Sequence, residues 1–154
     1  MKIGLVILAG FAGLIAASLI WVRVAPTKPE NWHKDPDEVS KIIGPRVYLL
    51  STSSVAHGEP FDTSLGPNEA LKYFENVTAS EDRVVIVAGS SEEGMVTLMQ
   101  RSARVGFPDF VTVKAVATSE GSRISIYSRS RFGHRDFGVN KARVTQWLRA
   151  LQKK

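Results

Sequence analysis

Two phrases, RVGFPDF at 104–110 and RFGHRDF at 131–137, set an arginine, a glycine, an aspartate and a phenylalanine at identical offsets. Arginine and aspartate at that spacing support two chemistries. They can close on one another as forked ion pairs, Arg104 with Asp109 and Arg131 with Asp136, and pin the turns that carry them. Alternatively, two acids compensate only part of the nearby cations, so Arg101, Arg104, Arg129 and Arg131 can form a cradle for a phosphate or carboxylate. Asp136 and Asn140 can also satisfy the free N–H groups that open a following helix.

Other chemistries lack their residues. The chain holds no cysteine, which excludes thiolate catalysis and Cys-ligated metal centres. His33, His57 and His134, even with Asp35 or Asp62, show no ligand spacing such as His-x-x-x-His and read as solvated loop residues. No metal and no other cofactor is expected. There is no Gly-x-Ser-x-Gly elbow, and Glu92 and Glu93 in SSEEG are explained by a turn between strands.

The elements that must bring the phrases together are legible from periodicity. RVYLL (46–50), RVVIVAG (83–89), MVTLMQRSAR (95–104), FVTVKAVAT (110–118) and SRISIYSRSR (122–131) read as strands. PNEALKYFENV (67–77) reads as a helix, as does NKARVTQWLRALQ (140–152), with Asn140 as its N-cap and Val144, Trp147, Leu148 and Leu151 as its apolar stripe. A short helix from Asp35 as N-cap through Pro36 to Gly44 is expected, followed after the first strand by a polar surface loop over 51–66. The fold class is α+β, an antiparallel meander with helices on one face as a two-layer sandwich.

In a meander the first and third strands finish at the same end, roughly 10 Å apart, so both phrases land together. Parity separates them, however. If Ile124 and Ile126 face the core, Arg129 and Arg131 face the other way. If Val96 and Leu98 face the core, Arg101 points outward and Arg104 inward. The phrases are then equivalent only with a bulge between Gln100 and Arg104.

Ahead of this domain, Ile3 to Val22 is an unbroken apolar run, and at about 1.5 Å per residue it spans roughly 30 Å, a bilayer's hydrocarbon core. Trp21 and Arg23 stand where interfacial anchors belong. The rival is a signal peptide cut near Ala16 to Ser18, which would leave LIWV as an apolar new terminus. The organisation is therefore an anchor over 1–23, a Pro-rich extended tether over 24–36 with Trp32 available to dock, and one domain over 37–154. Lys2 on one side and Arg23, Lys28 and Lys34 on the other leave the positive-inside rule near parity. The net charge of +5 and pI near 9.7 suit an anionic surface.

EEGMVTLMQRSARVGFPDFVTV and SRSRFGHRDFGVNKARV together resemble the family catalogued as domain of unknown function 1499, and WVRVAPTKPENWHKDP is similar to the linker of its membrane-anchored bacterial members. The resemblance implies recurrent positions at Arg101, Ser102, Gly106, Phe107, Asp109, Arg131, Gly133, Asp136, Gly138, Asn140 and Arg143. His134 departs from the aromatic that relatives carry. The family implies no established reaction, and its association with lumenal compartments in plastid-bearing lineages implies a periplasmic domain on a bacterial inner membrane.

The expected function is thus that of a membrane-anchored envelope module, binding or structural. Its partners are the lipid bilayer and an anionic small molecule or lipid headgroup, with no nucleic acid. Binding candidates are Arg101, Arg104, Asp109, Arg129, Arg131, Asp136, Asn140 and Arg143, and no residue is assigned to catalysis. The alternative class is an enzyme acting on an anionic substrate, lipid-linked or free, with Arg101, Arg129 and Arg131 as its charge clamp.

Overall fold

The structure, a computed structural model, describes residues 2–153. Met1 and Lys154, the outer bounds of the expected anchor and domain, lie outside the described residues. A long helix, α1 (Lys2–Val24), opens the chain and matches the expected apolar span. The stretch Val6–Val24 is long and apolar enough to cross a membrane, and none of it is buried.

The body of the fold comprises β1 (Val47–Leu50), β2 (Phe61–Thr63), α2 (Pro67–Ser80), β3 (Val84–Ser90), β4 (Met95–Arg101), β5 (Pro108–Thr118), β6 (Gly121–Ser130) and α3 (Val139–Leu151). All strand pairings are antiparallel, in the order β1-β6-β5-β4-β3, with β2 also on β6. This is the α+β meander sandwich that the alternation and the turn residues predict. β2 is the exception, because three residues are too few to display a period, and its pairing with Ile124 to Ser122 is long-range.

The core lies between one sheet face and the two helices. Val96 and Leu98 of β4, Val111 and Val113 of β5, and Ile124 and Ile126 of β6 meet Leu71 and Phe74 of α2 and Val144, Trp147 and Leu151 of α3, all essentially without solvent contact. Each such side chain contributes about 1.5–3 kcal/mol by leaving water.

The opposite sheet face is covered too. Residues 25–41, which include most of the expected tether, run across it as a strap. Trp32 does dock, its ring stacked on Phe110 with centroids 3.8 Å apart and planes 13° from parallel. Asp35 and Asp37 both reach Lys114 of β5, at 2.6 and 3.2 Å. The helix expected from Asp35 to Gly44 is one 3-10 turn, Pro36–Glu38. Asp35 caps it as expected, accepting from the Asp37 N–H, but Val39 is already extended. Asp37 accepts from Thr52 and Ser125, which draws the segment onto the sheet before a second turn can form.

Candidate functional site

The strand register brings the two phrases to one end of the sheet, where Arg101 pairs with Pro108 and Asp109 with Ser130. β4 stops at Arg101 and pairs with β5 without interruption, so the strand expected to run to Arg104 is three residues shorter and carries no bulge there. The register shift in the sheet lies instead between Ile86 and Ala88 on β3. Arg104 consequently sits in an exposed β4–β5 loop rather than pointing inward. Ser102 closes this loop, its hydroxyl accepting from the Gly106 and Phe107 N–H groups.

Neither forked pair forms. Asp109 is held by Arg143 of α3, with Nη2 2.7 Å from Oδ2 and side chains only 13% and 8% exposed. Asp136 accepts from the backbone N–H groups of Gly138 and Asn140 and from the Asn140 amide. Burial pushes the Asp136 carboxyl up, but these hydrogen bonds outweigh it and hold the group below its ordinary value. Asp136 therefore does the capping, while Gly138, at φ 81°, takes the N-cap position expected for Asn140. Asn140 lies one step inside the helix and fully buried, accepting from Ser128 and Arg143 and donating to the Arg46 carbonyl and the Ser130 hydroxyl.

Arg143 completes this network with bonds to Gln100 and Ser128. Gln100 and Ser128 escaped the sequence reading, although a signal was present. Gln100 has the parity of Leu98 and Ser128 that of Ile126, and a polar residue on a core face demands a buried partner.

The remaining arginines separate in space. Arg129 lies on the strap face, 6% exposed. It donates to the carbonyls of Trp32 and Tyr127 and to the Thr112 hydroxyl, and stacks 4.0 Å over the Tyr127 ring. No carboxylate faces it among the described residues, and burial lowers its pKa to about 10. Arg101 donates to the Gly106 carbonyl inside its own loop.

Arg131 turns to the chain leaving α1, donating to the carbonyls of Ala25 and Pro26 and to the Thr27 hydroxyl. Arg23, at the end of α1, donates in return to the carbonyls of Val105 and Arg104. Gly106, at φ 82°, lies directly against that side chain, and a Cβ there would sit 3.1 Å from Arg23 Cγ and Nε, so the arginine would have to shift slightly. Phe107 and Phe132, one from each phrase, close the gap between the loops with ring centroids 6.2 Å apart. The site is thus a joint between sheet, last helix and α1 more than a convergent pocket. No group of three or more metal-ligating side chains occurs among the described residues.

A family model described as "Protein of unknown function (DUF1499)" matches residues 29–151, a stretch that begins inside the strap and closes with α3. Among solved structures, protein MLL2253 from Mesorhizobium loti is similar in fold. The TM-score is 0.51 at 12% identity, covering 70% of this chain and 95% of that one. No curated protein matches.

Proposed function

The chain belongs to the DUF1499 family of proteins of unknown function, and from that premise we propose that it is a membrane-anchored envelope module whose domain is held at the end of its span by the repeated phrases. The reading puts α1 in a bacterial inner membrane and the domain on the periplasmic side. One observation carries the joint itself: Arg131 donates to the chain just past α1 and Arg23 donates to the β4–β5 loop, so the sheet end and the exit from α1 are joined by hydrogen bonds in both directions. Charged donors to carbonyls are worth about 1.5–3 kcal/mol each, and less at this joint, where the bonds are exposed or only part-buried. A domain that swung freely on a tether would have no use for such a joint.

The enzyme reading has one observation in its favour, the buried Arg129 with only neutral partners. Its clamp, however, requires Arg101, Arg129 and Arg131 to converge, and each is engaged by a different segment. The test of the proposed role is fractionation together with a topology reporter. The full chain should stay in the membrane through carbonate and high-salt washes, and a reporter fused after the last helix should be active only outside the cytoplasm. A soluble product beginning near Leu19 would overturn the anchor, and a cytoplasmically active fusion would overturn the side.

A further inference from the structure

The two ends of the sheet differ in charge. At the end away from α1, the β3–β4 and β5–β6 turns expose Glu92, Glu93 and Glu120, and β2 exposes Asp62, which is forked to Arg123. At the end where α1 leaves, most acids are already engaged. Asp109 is on Arg143, Asp136 is on the helix N–H groups, and Glu81 accepts from Gln100 and Trp147. Asp82 is exposed there, beside Arg83. Arg104 and Arg135 are exposed and make no ion pair among the described residues.

Phe137 stands beside them, 93% exposed, its backbone at φ 53° in the left-handed region that phenylalanine rarely adopts. Val139, next along, is 48% exposed. A large aromatic held outward in a strained conformation has no folding role, and such strain gathers where a surface meets a ligand. Its counterpart in the first phrase, Phe110, is wholly buried under Trp32.

The direction of α1 supplies the partner. None of Val6–Val24 is buried and Arg23 ties its last turn to the loop that carries Arg104, so the helix leads away from this end of the domain. A membrane spanned by α1 must begin at this end. We infer that the loops of the two phrases form a contact surface for the anionic leaflet from which α1 emerges, with Phe137 entering the headgroup region and Arg104 and Arg135 binding lipid phosphates. The inference rests on the reading of α1 as a span. Basic side chains beside an anionic leaflet and aromatics at headgroup depth are each favourable, and the acidic far end is repelled, so the domain stands with a fixed face to the lipid.

The absence of native cysteine makes single-site spin labelling of the full chain clean. The probe is a nitroxide at His134→Cys, which leaves Phe137 and both arginines in place, with Ser119→Cys on the far turn and Leu14→Cys in α1 as references. All three are placed in nanodiscs of phosphatidylglycerol mixed with phosphatidylcholine. The ratio of oxygen to nickel-chelate accessibility should be several-fold higher at 134 than at 119. It should fall to the level of 119 with Phe137→Asp, with Arg104→Glu and Arg135→Glu together, or in nanodiscs of phosphatidylcholine alone. An aqueous label at 134 with a lipid-exposed label at 14 would sink the contact surface and leave the anchor standing. An aqueous label at 14 would remove the anchor and the inference with it. Equal depth in neutral and anionic lipid would overturn the role of the arginines.

Discussion

Asp109 on the second strand of the meander and Arg143 on the last helix meet at 2.7 Å almost out of solvent, so the sheet end is pinned to α3 and not to its own hairpin loop. Removing one partner leaves the other charge buried and unpaired. Asp109→Ala should therefore cost about 3–5 kcal/mol in urea unfolding. Arg104→Gln, at the partner position that the repeat itself suggests, should change stability by no more than about 0.5 kcal/mol. Equal costs for the two variants would return Asp109 to Arg104.

Arg131 holds the first residues of the strap, just past α1, through two carbonyls and a hydroxyl. Arg131→Gln should lower stability by about 1–2 kcal/mol, less than a buried charged bond because the site is partly open to water. Added phosphate should not restore it. A melting temperature at or above that of the parent would instead indicate mutually repelling arginines that await an anion.

Trp32 covers Phe110, and its carbonyl accepts from Arg129 and Thr112. Trp32→Ala removes a half-buried stacked ring and should cost about 2–3 kcal/mol. Hydrogen exchange should accelerate over 29–38 and on the outward-facing residues of β5 before it does so in α2 or α3. Uniform acceleration would mean that the strap is part of the core's cooperative unit.

Asp136 and Asp37 both lie below the ordinary carboxylate value of 3.8. In each, burial pushes the group up and hydrogen bonds outweigh it, from Asn140 and Gly138 in one case and from Ser125, Thr52 and Lys114 in the other. A carboxylate lowered by folding contributes stability that is complete above its unfolded value and lost as pH falls through its folded value. Stability should hold down to about pH 4 and then decline, and Asp136→Asn should make that acid limb shallower. An unchanged limb would remove Asp136 from the acid response.

Phe137 carries backbone strain with no packing to offset it. Phe137→Gly should therefore raise stability by about 0.5–1 kcal/mol while reducing the membrane depth of a label at 134. A loss of stability would show that the ring packs against the domain.

The apolar run, the alternating strands, the turns and the helical stripe were all legible because each is written in local periodicity, and they suffice for the α+β class, the sheet end and the long apolar N-terminal helix. The docking of Trp32 was legible as an aromatic among prolines. β2 and the truncated helix after Asp35 were not, because both depend on partners far along the chain, β6 for one and Thr52, Ser125 and Lys114 for the other.

The repeated phrases mark the limit most clearly. Their glycines behave alike, with Gly106 and Gly133 both at positive φ, since turn conformation is local. Their charges and aromatics do not. Asp109 is buried on Arg143 and Asp136 caps a helix. Phe110 is buried under Trp32 and Phe137 faces solvent. One phrase enters a central strand between two covered faces and the other enters a helix at the sheet's end. The surroundings that decide an ion pair or a burial belong to those faces, which only the assembled layers create.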